Sequence, residues 1–360
     1  MKTLTSLRNA GWALLALSLF VGAMAAAGEA KAPAARLGSH TLSGPYTHEN
    51  LTIFLIHGPD RLKGKNYLTL QEALSQKKVV VHETKEVNRL TIENVSADAE
   101  IFVLSGDIIK GGQQDRIIAF DVILPPKSDK VAVTVYCVEQ GRWSQRGAEP
   151  AATFAASTSQ VPSKSAKLAV QGAAPAGSVA AGRIMQRGAQ VAVWREVALK
   201  QRMLSMNVGK AVQAAQSETS LQLSLEDKEL LKAVDAYTKK LSPILKDKKD
   251  AIGFAFAING QVNSADVYAS NTLFQKVWPK LLASAVVEAI AEKRKDKKFE
   301  PVKAEAFKNL IQDADKAEAS NKDVTPRTRM VKQETKENVL FETRDQQNKG
   351  VPVRKNYIKK

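Results

Sequence analysis

The sequence is poor in the residues that carry the commoner catalytic and metal chemistries. Of its 360 residues one is cysteine, Cys137, and four are histidine, the last of them His82. A single cysteine excludes an internal disulfide, so stability has to come from packing. His40, His48, His57 and His82 stand at no ligand spacing, and with one thiol they supply neither a zinc nor an iron site. There is no Gly-x-Ser-x-Gly elbow, no Gly-Lys-Ser/Thr phosphate loop and no Rossmann glycine pattern. No metal and no cofactor is therefore expected. Aromatic residues are only 6% of the chain, which leaves Val, Ile, Leu and Ala to fill the core. Beyond the N-terminus no apolar run approaches the roughly 20 residues needed to span a bilayer.

The N-terminus itself has three parts: Lys2 and Arg8, an apolar stretch from Ala10 to Ala27, then small residues. That is the layout of a secretory signal over residues 1–27, with Ala23-Met24-Ala25 or Ala25-Ala26-Ala27 as the cleavage site. An uncleaved anchor is the competing reading; Gly11, Ser18, Gly22 and the alanine-rich end favour cleavage. Export to a periplasmic or extracellular location follows. The net charge of +16 favours contact with polyanions. Residues 291–360 hold 19 Lys or Arg against 12 Asp or Glu, so part of the excess lies in a basic tail. No aromatic residues interleave with these cations as a stacking site requires, so a solvated mixed-sign surface is the simpler reading.

Short apolar runs dominate the middle of the chain. Strands are expected at Leu51 to His57 (LTIFLIH), Val79 to Thr84, Leu90 to Asn94, Ile101 to Leu104, Ile117 to Leu124 and Val131 to Val138. Thr69 to Gln76 is a short helix with Thr69 and Glu72 at capping-box spacing. Residues 147–182, rich in Ala, Ser, Pro and Gly, read as a long flexible connection. Helices are expected over Gln190 to Met206 and Leu225 to Leu241. Ile252 to Ile258 and Val262 to Tyr268 flank Asn259-Gly260, a tight-hairpin dipeptide. Ser270 or Asn271 caps a helix through Ile290 that Pro279 should kink. After one helix near Ala304 to Ala317 the sequence is polar, with little to bury and a mobile end. The class is α+β: a β-rich mixed or antiparallel sheet domain over residues 40–290 with flanking helices, followed by a charged, partly helical extension over 291–360.

The densest polar sequence is Ser105 to Trp143. With a turn at Pro125 to Lys130, Leu124 faces Val131, Phe120 faces Val135, Ile118 faces Cys137 and Arg116 faces Glu139 at the end of an apolar ladder. A guanidinium fork opposite a carboxylate, flanked by Gly106, Gly111, Gly112 and Gly141, describes a polar pocket. Its expected ligand-binding residues are Asp107, Gln113, Gln114, Arg116, Glu139, Arg142 and Trp143. The alternative is that Arg116 and Glu139 pin two loops together, with the glycines in turns and Trp143 as a lid. Asp107 or Glu139 could serve a hydrolase as acid or base. Cys137 reads as a buried, inert strand residue.

Five segments taken in order, LTIFLIH, YLTLQEAL (Tyr67 to Leu74), GDIIKGGQQDR (Gly106 to Arg116), CVEQGRW (Cys137 to Trp143) and NTLFQKVWPKLL (Asn271 to Leu282), resemble the ARPP domain family. The likeness covers roughly Leu42 to Ala291. The family is associated with ADP-ribosylglycohydrolases and rhodanese-phosphatases and has no established activity. The resemblance implies recognition of a small polar or nucleotide-derived ligand such as ADP-ribose. Where the family pattern has Gly-Glu, this chain keeps the acid as Asp107; Gln113 stands in place of a cation and Asp115 in place of an amide. Two other functions compete: a hydrolase using Asp107 or Glu139, and an envelope protein that holds polyanions through its basic tail.

Overall fold

The computed structural model describes residues 35–37, 40–144, 154–173, 180–348 and 351–360. The expected signal over 1–27 lies outside them, as do 147–153 and 174–179 of the expected connection. The first elements are β1 (Ala35–Leu37), β2 (His40–His48), β3 (Leu51–His57), β4 (Leu68–Thr69) and α1 (Leu70–Ser75). Then come β5 (Val79–Glu83), β6 (Arg89–Asn94), β7 (Ile101–Val103), β8 (Asp107–Gly111), β9 (Arg116–Ile118), β10 (Val122–Leu124), β11 (Val131–Cys137) and β12 (Phe154–Gln160). A helical section follows: α2 (Lys164–Gly172), α3 (Ala180–Val208), α4 (Leu221–Leu225) and α5 (Lys228–Leu241). The chain returns to strands in β13 (Ala251–Ile258) and β14 (Gln261–Tyr268), and continues through α6 (Asn271–Glu292) and α7 (Ala304–Asp315). It closes with β15 (Ala319–Asp323), β16 (Thr328–Glu334), β17 (Asn338–Asp345) and β18 (Pro352–Lys359).

The fold is α+β and rich in antiparallel sheet, as the composition of the apolar runs indicates. One sheet has the order β1-β2-β3-β13-β14-β18-β17-β16-β15; a second runs β12-β8-β9-β11-β6-β5; a third is β10-β7-β4, in which β4 and β7 are parallel. The runs LTIFLIH and IGFAFAI lack the polar alternation of half-covered strands because β3 and β13 are central strands covered on both sides. Leu51, Ile53, Leu55, Phe254 and Phe256 enter the main core with α6, while Phe54, Ile56, Ala255 and Ala257 meet Phe307, Leu310 and Ile311 of α7. Asn259 and Gly260 both take positive φ, 53° and 71°, and close the β13–β14 hairpin as their dipeptide requires. Gly253 is needed for close approach: a Cβ there would stand 2.1 Å from the Asp266 carbonyl oxygen. Thr69 and Glu72 form the capping box on α1, and Ser270 caps α6, which runs unbroken through Pro279.

Three expectations need correction. The connection over 147–182 contains β12 and α2, whose N-cap Ser163 bonds the Ala166 amide. The tail, expected to be polar and mobile after one helix, supplies β15 to β18, and β18 lies inside the large sheet between β14 and β17. Ala34–Lys360 form one compact unit that includes the tail. The tail's charges are tolerable because many pair along and across the ladders: Arg329 with Asp323 at 2.7 Å, Lys355 with Glu342 at 3.4 Å, Lys359 with Glu337 at 2.9 Å. Lastly, the ladder of β9 against β11 is offset by two residues from the expected one, so Arg116 faces Cys137 and Ile118 faces Val135. The chain leaves that ladder at Ala119 to Asp121, and β10 pairs with β7 instead.

The departure at Asp121 has a chemical cause in the tail. Arg354 of β18, with a side chain 4% exposed, closes its fork on Asp266 of β14, with Nε to Oδ1 at 2.7 Å and Nη2 to Oδ2 at 2.8 Å. Its Nη1 donates to Asp121 Oδ1 at 2.9 Å and to the Ser105 hydroxyl at 2.8 Å. Asp121 also accepts from the Ser105 amide at 2.7 Å and the Thr343 hydroxyl at 2.5 Å. Burial alone would lower the Arg354 pKa, and the carboxylates of Asp121 and Asp266 overcome this and hold it well above its usual value. A chain ended after Lys298 removes α7 and β15 to β18, bares the edge of β14 and leaves both aspartates unpaired. It is expected to lose the cooperative thermal transition of the full chain in far-ultraviolet circular dichroism; a retained sharp transition would show the tail to be dispensable.

Candidate functional site

The expected site residues fall into two places. Gln113, Arg116, Glu139, Arg142 and Trp143 gather around Glu83, with Gln114 in the same turn, at the far end of β8 from Asp107. Arg116 is fully buried and spends its fork on Glu83, Nη1 to Oε2 and Nη2 to Oε1 both at 3.0 Å. Glu83 also accepts from the Gln113 amide at 3.3 Å. Glu139, fully buried, has Arg142 as its ion partner, Nε to Oε2 at 2.7 Å, and accepts from the Asp115 amide at 3.3 Å. The cation and anion expected to face each other thus take different partners. The Trp143 ring, half exposed, lies under the Arg116 guanidinium at 5.6 Å. Each charge here is closed on another protein group, which describes a strut joining β5, β9 and the Glu139 to Trp143 turn.

Glu83 was not singled out from sequence. It sits on a strand separated from Arg116 by the whole of β6 to β8, and its alternation (VVVHE) marks it only as the end of a half-buried strand. Cys137, opposite Arg116, is buried and its thiol is pushed up to about 11 by that burial. That burial disfavours the reactive thiolate form.

Asp107 opens the other place. It begins β8 after a turn in which Gly106 has φ 85° and the Asp107 amide donates to the Leu104 carbonyl at 3.1 Å. Its carboxylate receives Lys280 Nζ of α6 at 3.1 Å, and both side chains are nearly buried. Together they line a cleft of about 540 Å³ between α1, β12 and α6. Lys276, one turn before Lys280, lies on the same wall, where its ammonium donates to Asn66 Oδ1 at 2.9 Å and the Tyr67 carbonyl at 2.8 Å. It stands 3.5 Å from Glu72, which with Gln71 and Thr69 forms the opposite wall. Thr158 of β12, Leu104 and Val277 complete it.

The closed end of the cleft is held from behind. Gln160 donates to the Ser105 carbonyl at 3.0 Å, and Arg354 donates to the Ser105 hydroxyl, so the turn bearing Asp107 is anchored by β12 and by β18. Burial pushes the Asp107 carboxyl above its ordinary value, with the Lys280 charge, its hydrogen bond and Gln160 acting the other way. Two ammonium groups, two carboxylates, three hydroxyls and an amide around an apolar patch can orient a polar ligand by hydrogen bonds and attract an anionic part. Three of the five segments on which the family resemblance rests meet here: Thr69, Gln71 and Glu72 from YLTLQEAL, Asp107 from GDIIKGGQQDR, Lys276 and Lys280 from NTLFQKVWPKLL.

A family model described as ARG and Rhodanese-Phosphatase-superfamily-associated Protein domain, ARPP-1, matches residues 39–356. The match reaches into β18 as far as residue 356 and includes Arg354, beyond the Ala291 limit read from the segments. No curated protein and no solved structure matches the chain. For the strut, Arg116→Ala strands Glu83 in a partly covered position and is expected to lower unfolding free energy by about 3 kcal/mol. Urea denaturation checks this; a midpoint equal to that of the unaltered protein would remove the strut from the account.

Proposed function

The chain belongs to the ARPP-1 family, and from that premise we propose that it is an exported protein whose cleft between α1, β12 and α6 binds a small polar or nucleotide-derived ligand, of the ADP-ribose kind. The observation that carries the reading is the convergence of three family-bearing segments on one cleft lined by Lys276, Lys280, Asp107 and Glu72. Lysines one turn apart suit a phosphate or carboxylate as point charges, and Asp107 and Glu72 suit hydroxyls of a sugar. Among the expected ligand residues Asp107 stays in the site. Gln113, Gln114, Arg116, Glu139, Arg142 and Trp143 support the fold around it. Export rests on the Lys2 to Ala27 pattern of the sequence.

The hydrolase reading draws on one feature, a buried Asp107 carboxyl raised above its usual value at the closed end of a cleft. Glu139 does not line that cleft, so the second carboxylate available there is Glu72. In the polyanion reading the basic residues of 291–360 would act from α7 and from strands of the large sheet.

Thermal-shift titration of the mature protein with ADP-ribose, nucleotides and sugar phosphates tests the proposal. At least one ligand is expected to raise the midpoint, by the equivalent of about 2.7 kcal/mol at a hundredfold excess over Kd. Lys276→Ala is expected to abolish the shift and Trp143→Ala to keep it. No shift with any member, or a shift lost in Trp143→Ala and kept in Lys276→Ala, contradicts the cleft. Turnover lost in Asp107→Asn with binding kept would favour the hydrolase.

A further inference from the structure

The longest helix carries apolar residues on two faces, and one of them is open. On one side Ala189, Val193, Val197 and Leu204 of α3 enter the main core. On the other, Ile184 is 71% exposed, Val191 62%, Leu199 40% and Met206 70%. At 3.6 residues per turn these four, with Arg195 and Arg202, fall within an arc of about 80°. Arg187 and Arg183 extend the basic surface on one side of the arc, and all four arginines are exposed. The only acidic residue of α3 is Glu196, whose carboxylate accepts from Ser163 Oγ at 3.0 Å, away from this face. The helix has 29 residues, so the stripe runs over roughly 30 Å with apolar side chains and guanidiniums alternating along it.

We infer that this face of α3 docks on an anionic phospholipid surface, lying in the plane of the headgroups. Charge decides among occupants. A second copy of the chain, meeting the face in either direction, would bring arginines against arginines with no carboxylate between them. An anionic lipid leaflet supplies phosphates along the whole length of the stripe and an apolar layer beneath them. Arginine stems lie beside Ile184, Val191, Leu199 and Met206 while their guanidiniums reach the phosphate level, which is the arrangement of an interfacial helix. Among the described residues no helix is long and apolar enough to cross a membrane, so α3 would lie on the bilayer and not in it. The inference is independent of what the cleft binds.

Co-sedimentation of the mature chain with vesicles tests it. The protein is expected to pellet with phosphatidylcholine vesicles that contain phosphatidylglycerol, to stay in solution with phosphatidylcholine alone, and to be released by salt. The double variant Arg195→Glu, Arg202→Glu is expected to bind at least about tenfold more weakly. Val191→Glu, Leu199→Glu should bind more weakly as well. Both variants should keep the far-ultraviolet spectrum and melting curve of the parent, because all four side chains point to solvent. A Met206→Cys chain labelled with an environment-sensitive dye should shift to the blue on anionic vesicles, Cys137 being buried. Binding that ignores lipid charge, charge-reversal variants that bind as well as the parent, or a lipid-free dimer that Val191→Glu splits would overturn the inference; the last would assign the face to self-association.

Discussion

The guanidinium of Arg354 is the point on which the molecule turns. It belongs to the final strand, yet it grips Asp266 on the neighbouring strand of the large sheet and Asp121 and Ser105, which belong to the connections of the smaller sheets. Taking these charges out of water costs several kcal/mol per ion, and only close geometry with the remaining lone pairs satisfied offsets it. That condition is met on most sides: Thr343 and the Ser105 amide complete Asp121, and the Tyr268 ring lies 5.8 Å from the guanidinium. The consequence reaches the cleft. Ser105 and Asp107 bracket one glycine, so the group that fixes the sheets to each other also fixes the carboxylate at the cleft's closed end.

Two charged clusters lie at opposite ends of β8, and burial separates their roles. Around Arg116 and Glu139 every cation is matched to a carboxylate inside the protein, and the exposed part is the Trp143 ring. Around Asp107 the pairing is the same in kind but opens on a cleft, with a second lysine held by the Tyr67 carbonyl and the Asn66 amide oxygen. Density of polar residues in sequence drew attention to the first cluster. Access to solvent-filled volume favours the second.

The parts of the fold legible in sequence are those whose residues act alone. LTIFLIH and IGFAFAI announce central strands because both faces are covered; Asn259-Gly260 supplies its own turn; Thr69 with Glu72 and Ser270 cap their helices locally. What escaped reading depends on partners distant in the chain. β17 and β18, with sequences NVLFETRD and PVRKNYIK, look too polar to be buried until Glu342 is set against Lys355 and Arg354 against Asp266. The continuous strand expected through Asp121 breaks because a residue more than two hundred positions later draws that carboxylate aside. For the same reason nothing in the sequence pairs Lys280 with Asp107, 173 positions away. Likewise, that three of the family segments line one cleft emerges only once the chain is folded.

A double-mutant cycle of Arg354→Met and Asp121→Asn, followed by urea unfolding of the full chain, tests the dependence of the fold on this contact most directly. The account predicts that the two substitutions are strongly non-additive, with a coupling energy of about 2 kcal/mol or more, because Arg354→Met leaves the Asp121 charge without its cation in the core and Asp121→Asn leaves Arg354 with Asp266 as its one carboxylate. Additivity within about 0.5 kcal/mol would mean that the tail strand and the cleft turn are held by packing alone, and the ionic link would lose its place at the centre of the structure.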